Sequence, residues 1–197
     1  MSDSVPILVA AINARHSHAS MGARCLLANM GELRSQTELL EFTTQQSASE
    51  IAAVLIARAP KILALGVYIW NATRIVELLP LLRHLSPEMK IVLGGPEITA
   101  DTPNADFRIL GEADLAFPAL CREILGCSDP HGLAPWVNQF PSTPPPPFSL
   151  QPSALPPILH PPPPDLSTLH LPYAEYTDSD LAHRLLYVES SRGCAMR

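Results

Sequence analysis

The sequence predicts an α/β fold, a parallel sheet with helices packed on both faces. Three observations carry this expectation. Short apolar runs rich in branched residues alternate five times with one-faced helical segments. The runs are apolar almost throughout, as strands buried on both faces are. Each run ends in a polar or glycine-containing loop, the usual exit of a strand in such a sheet.

Val5–Ile12 (VPILVAAI) reads as the first strand and runs into the polar loop Asn13–Ser20 (NARHSHAS). Met21–Leu33 follows as a helix, with Leu26, Leu27 and Met30 at helical spacing. Thr37–Phe42 (TELLEF) is the second strand. Ser47 and Glu50 form S-x-x-E, a capping-box signature, ahead of a helix that puts Ile51, Val54 and Leu55 on one face. Lys61–Trp70 (KILALGVYIW) is the strongest strand signal. Thr73–Leu85 carries Ile75, Leu78, Leu79, Leu82 and Leu85 on one face, and Pro80 is expected to kink it. Lys90–Leu93 (KIVL) is the fourth strand, stopped by Gly94-Gly95-Pro96. Phe107–Leu110 (FRIL) is the fifth, followed by Gly111-Glu112 and an amphipathic helix over Ala113–Leu125. The whole reads as a flavodoxin- or Rossmann-like sheet of five parallel strands. Ligands of such sheets lie beyond the carboxyl ends of the strands, where the strand order reverses. The loops that matter are then Asn13–Ser20, Trp70-Asn71, Gly94–Glu97 and Gly111-Glu112.

The 197 residues suffice for one packed domain and an appendage. Only 16% are charged, which suits a surface that partly faces a ligand or another domain. A net charge of -6 argues against nucleic acid or an anionic membrane as partner. The longest apolar runs, Ile51–Ala57 and Ile62–Trp70, are too short to span a bilayer, and no basic segment precedes an N-terminal apolar stretch. Cys25, Cys121, Cys127 and Cys194 form no C-x-x-C pair, so free thiols in a reducing cytoplasm are the simplest expectation. Fifteen of the 22 prolines lie between Cys127 and Pro172, and no Lys or Arg occurs between Arg122 and Arg184. This shift divides the chain into a domain at 1–126, a proline-rich linker at 127–172 and a short piece at 173–197. Pro144–Pro147 and Pro161–Pro164 favour an extended polyproline II spacer of roughly 3.1 Å per residue. Leu185–Glu189 (LLYVE) reads as a sixth strand belonging to a second domain.

Strand three ends LGVYIWN (Leu65–Asn71), strand four VLGGPEIT (Val92–Thr99), and strand five runs ADFRILGEADLAFPAL (Ala105–Leu120). The trio resembles the N-terminal cobalamin-binding domain of B12-dependent radical S-adenosylmethionine (SAM) proteins. NARHSHASMGARCLL (Asn13–Leu27) resembles that family's opening segment. YVESSRGC (Tyr187–Cys194) resembles the first strand and first cluster cysteine of the radical SAM barrel. The resemblance implies a cobalamin held by the first loop (Asn13, His16, Ser17, His18, Ser20) and by the loop after strand three (Tyr68, Trp70, Asn71). Gly94, Gly95, Pro96, Glu97, Gly111 and Glu112 complete the expected set. It implies Cys194 as the first ligand in C-x-x-x-C-x-x-C, where three thiolates hold a [4Fe–4S] cluster and SAM takes the fourth iron. Ala195 departs from the proline common after that cysteine, and Arg197 stands one residue before the second. The intact enzyme would make a 5′-deoxyadenosyl radical and often transfer a methyl group, and this chain alone would bind the corrinoid without completing catalysis.

The physical reading accompanies the resemblance. A corrinoid is a broad ring with a nucleotide tail and needs a shelf of backbone and small residues. Gly94 and Gly95 clear side chains from a strand end, Gly66 inside strand three permits close approach, and Tyr68 and Trp70 offer flat apolar faces. An ordinary tight turn is the plain alternative at Gly94–Pro96. His16 and His18 are the candidate cobalt ligands, and His18 is the one set against the known motif. The mutase motif D-x-H-x-x-G is not met, because no Asp lies nearby and His18 to Gly22 is one residue too long. The alternative has both histidines bonding corrinoid amides or water. Glu112, and likewise Glu97, suits the start of a helix as well as it suits a cofactor contact. The rival functions are a non-catalytic corrinoid carrier or sensor, a receiver or flavin module, and an inactive gene fragment. Asn13 and Asn71 stand where a receiver needs acidic groups, and Ser17 and Ser20 only partly supply a flavin phosphate loop.

Overall fold

The computed structural model describes residues 5–98, 104–127 and 158–192. Strands β1 (Ile7–Asn13), β2 (Thr37–Thr43), β3 (Ile62–Gly66), β4 (Lys90–Gly94), β5 (Phe107–Ile109) and β6 (Ile158–Leu159) form one parallel sheet. Its order is β2-β1-β3-β4-β5-β6, so the order reverses between β1 and β3. Helices α2 (Ala48–Ala57) and α3 (Ala72–Leu85) cover one face, packing Ile51, Leu55, Ile75, Leu78 and Leu82 on Leu8, Leu63 and Ile91. Helices α1 (Met21–Ala28) and α4 (Ala116–Leu125) cover the other, with Leu27, Phe117 and Leu120 over Val9, Ala64 and Val92. No helix among the described residues is long and apolar enough to cross a membrane.

The structure corrects several expectations. The sheet has six strands, because Ile158–Leu159 pairs with Arg108 and Ile109 at the β5 edge. That pair lies in the stretch read as a spacer, so part of the proline-rich segment is a piece of the fold. Pro144–Pro147 lies outside the described residues. Leu185–Glu189 is not a strand. Only Leu185 pairs, in a single parallel bridge with His18, and Leu185 N–H donates to the Ser17 carbonyl at 2.7 Å. The first helix ends at Ala28 rather than Leu33, where the Asn29 amide caps it by donating to the Cys25 carbonyl at 2.8 Å. Strand three stops at Gly66: Val67 N–H still bonds the Gly94 carbonyl, and the chain then turns, with Asn71 and Ala72 N–H both donating to the Tyr68 carbonyl. The last helix starts at Ala116, not Ala113. Pro80 sits inside α3 on its exposed side, and the helix continues past it to Leu85. The capping box at Ser47 and Glu50 is present.

The chain after β6 runs along α1. Asn29 exchanges two hydrogen bonds with the backbone of His170, at 3.0 and 2.9 Å. Arg34 pairs with Glu175 at 2.6 Å. Helix α5 (Asp178–His183) then docks through a buried charge cluster. Arg24 bonds Glu41 and Asp180, each at 2.8 Å, and Arg184 bonds Glu41 at 2.5 Å. The Tyr176 ring packs on the Arg24 guanidinium at 4.8 Å.

Burial alone would raise the Glu41 carboxyl, but hydrogen bonds from Arg24, Ser20 and Asn13 outweigh it and hold the group below its ordinary value. Asp180 is likewise lowered: burial opposes ionisation, and bonds from Thr177 and Arg24 overcome it. A carboxylate with a depressed folded pKa stabilises above its unfolded value and loses that contribution as pH falls through the folded one. The melting temperature should therefore hold between neutral pH and about 5 and drop below about 4, the ordinary carboxylate range. Glu41→Gln should melt lower at neutral pH and show a shallower acid limb; an unchanged acid limb would show that Glu41 does not contribute to it.

Candidate functional site

On the face under α1 and α4, three neighbouring strands lose side-chain volume towards their carboxyl ends. The inward positions read Ile7, Val9, Ala11 on β1, then Ile62, Ala64, Gly66 on β3, then Val92, Gly94 on β4. The register sets Val9 beside Ala64, Ala64 beside Val92, and Gly66 beside Gly94, so the steps coincide across the sheet. Deep in the core the large residues touch the helices, whereas at the strand ends they no longer reach. A wedge opens between sheet and helices. It is a cavity of about 970 Å³ at the reversal of strand order, the volume class of a cofactor pocket.

The loops above the wedge are held by named bonds. Asn71 is 1% exposed and donates to the Ile12 and Gly66 carbonyls, while its oxygen accepts from Tyr68 N–H at 2.8 Å. Trp70 Nε1 donates to the same Ile12 carbonyl at 3.1 Å. The Tyr68 and Trp70 rings stack 4.6 Å apart and nearly parallel. A side-chain carbon on Gly22 or Gly66 would come within 2.9 Å of Tyr68, so these two glycines lodge the tyrosine between α1 and β3. Gly95 has φ +102, and a Cβ there would lie 2.4 Å from the Val67 carbonyl oxygen. Gly94 is different: a Cβ on it meets nothing within 4 Å, and it lines the wedge.

Of the residues expected from sequence, Asn13, His18, Ser20, Tyr68, Trp70, Gly94, Gly95, Pro96, Gly111 and Glu112 line the cavity. Several are already engaged. Asn13 donates to the His18 carbonyl and to Glu41, both at 2.9 Å, and the Ser20 hydroxyl caps α1 at Ala23 N–H. His16, Ser17, Asn71 and Glu97 do not line it: His16 and Glu97 are exposed, Ser17 gives its carbonyl to Leu185, and Asn71 lies beneath the loop it fixes. Cys194 lies outside the described residues. Among the described residues no three His, Cys, Asp or Glu side chains converge as a metal site.

Sequence reasoning missed several contributors, Glu189 among them. Asp114 and Cys25 line the wedge, as do Tyr187 and Arg192 from the far end of the chain. Arg192 pairs with Asp114 at 2.9 Å and Glu189 at 2.7 Å, and donates to Cys25 Sγ at 3.3 Å. Tyr187 meets His18 Nδ1 through its hydroxyl. Burial, with Asp114 adding to it, pushes the Cys25 thiol up to about 11 despite Arg192. At neutral pH that thiol is protonated and a poor nucleophile. The arrangement is an apolar wedge with a polar rim.

The family model for the B12 binding domain matches residues 7–121. This is more than half of the chain, and the chain belongs to that family. Comparison with curated protein sequences gives no match. Among solved structures, a cobalamin-binding protein from Desulfitobacterium hafniense DCB-2 is 15% identical with a TM-score of 0.45. The match covers 60% of this chain and 58% of that one, so the chain spans little more than half of that protein's length. A CheY-like protein from Pseudomonas aeruginosa PAO1 is also 15% identical, covering 62% of this chain and 96% of its own, with a TM-score of 0.42. Similarity at this level carries no argument about function.

The contrast between the two adjacent glycines is testable. Gly95→Ala should cost on the order of 2 kcal/mol, because it forces an alanine into a left-handed conformation against a carbonyl. Gly94→Ala should stay within about 1 kcal/mol of the parent. Urea unfolding of the two variants reads the difference; equal losses would contradict the assigned geometry.

Proposed function

We propose that this B12-binding domain holds a corrinoid over the carboxyl ends of β1, β3 and β4, with the nucleotide tail in the wedge between α1 and α4. The observation that supports this most is the matched step-down of side chains ending at Ala11, Gly66 and Gly94: Gly94 stays open to the wedge, and the Tyr68 ring lies over Gly66 as a flat surface beside it. The residues present fit such a ligand: the depth is apolar, and the rim offers amide, hydroxyl and carboxylate groups to the ring's polar edge. The bound cofactor would supply a cobalt centre able to carry a methyl group. His18 lines the cavity with its Nδ1 engaged by Tyr187, which leaves Nε2 as the nitrogen for cobalt, while His16 is exposed.

The finer reading rests on resemblance. YVESSRGC supports a parent enzyme of the B12-dependent radical SAM type, with Cys194 as the first of three thiolates on a [4Fe–4S] cluster, SAM as co-substrate and methyl transfer as the outcome. In that reading the barrel is the partner on which the cofactor face docks. The same tail favours an enzyme over a free-standing corrinoid carrier.

Hydroxocobalamin titration, desalting and an absorption spectrum test the reading. The folded chain should retain an equimolar amount of corrinoid. Gly94→Leu should fill the wedge and abolish retention without lowering the melting temperature, and His18→Ala should change the visible spectrum where His16→Ala does not. A folded chain that retains no corrinoid overturns the proposal.

A further inference from the structure

The family match ends at residue 121, yet the cavity has lining residues beyond it. After α5 the chain crosses the mouth of the wedge. Leu185 pairs beside His18, and the Tyr187 ring stacks on the His18 ring with centroids 5.8 Å apart. The Tyr173 hydroxyl bridges the Glu189 backbone at both its N–H and its carbonyl, and the Tyr176 hydroxyl donates to the Tyr187 carbonyl. Arg192 closes the crossing at the start of α4, where Asp114 and Glu112 lie 2.9 and 3.5 Å from its guanidinium. The segment is tied down at both ends, once to the loop after β1 and once to the loop after β5.

We propose, resting on the corrinoid reading above, that Leu185–Arg192 forms a wall of the binding site, with Tyr187 and Arg192 contacting the amide-bearing edge of the corrin ring. The charge at this wall decides which part of the ligand it meets. The segment itself carries Glu189 and Arg192, and Glu112 and Asp114 of the loop after β5 face the same guanidinium, so this side of the mouth sets three carboxylates around one cation. It repels the phosphate of the nucleotide tail and accepts hydrogen bonds from primary amides. The tail then lies deeper, over Ala11 and Gly94, and the ring edge faces the segment. The site is therefore incomplete in residues 7–121 alone.

The full chain, Arg192→Ala and Tyr187→Phe are titrated with aquocobalamin and with cobinamide, which keeps the corrin amides and lacks the nucleotide base. Arg192→Ala should weaken both ligands alike, on the order of tenfold, and Tyr187→Phe by a smaller factor in the same sense. Hydrogen exchange on the unaltered chain gives a second measurement that needs no variant: amides of 185–192 should slow when either corrinoid binds. Equal affinity in all three proteins, or unchanged exchange in 185–192, overturns the wall. A loss confined to cobalamin overturns the assignment to the ring edge. No binding by the unaltered chain overturns the corrinoid reading itself.

Discussion

Three strands of this sheet shed side-chain volume in step, and the space above them follows from packing. A helix laid across a sheet touches the largest residues in its path. Ile7 and Ile62 pack under α1 and α4 at the amino end, whereas at the carboxyl end Gly94 leaves the space open and Gly66 gives it to the Tyr68 ring. The opposite face has no such taper: Leu8, Ala10 and Ile12 on β1 pack beneath α2 and α3 in a closed core. The cavity is thus a product of register, since the same residues shifted by one position would point to the other face.

The rim depends on a second constraint, the buried cluster of Arg24, Glu41, Asp180 and Arg184. Glu41 lies at the centre: it accepts from Asn13 and Ser20 of the first loop and from both arginines. One carboxylate therefore links the loop after β1, helix α1 and helix α5. Breaking a buried pair by removing one partner costs about 3–5 kcal/mol, because the other charge is stranded. The segment that crosses the wedge is anchored through this cluster, which couples a structural feature remote from the ligand to the shape of the ligand's mouth.

Much of the fold was legible in the sequence because its signals are local. The apolar runs, the Ser47–Glu50 capping box and the Gly94-Gly95-Pro96 stop each fix an element within a few residues. The first-loop and strand-end positions lining the wedge follow from the loops at the strands' carboxyl ends together with the family resemblance. The step-down itself was present in the sequence as a period-two decline in residue size, although its meaning needed the register of three strands. The strand at Ile158–Leu159 was hidden because two residues among prolines carry no periodicity, and only an open sheet edge makes them a strand. Tyr187 and Arg192 were invisible as site residues because their partners, His18 and Asp114, lie far away in the chain. LLYVE has the apolar and aromatic content of a strand, but among the described residues no neighbouring strand pairs with it along its length.

The most direct test of the account is a crystal structure of the chain with cobalamin bound. The corrin should lie over the carboxyl ends of β1, β3 and β4, with its tail between α1 and α4 above Gly94. A corrinoid seated on the α2–α3 face, or bound with the wedge left empty, would contradict it.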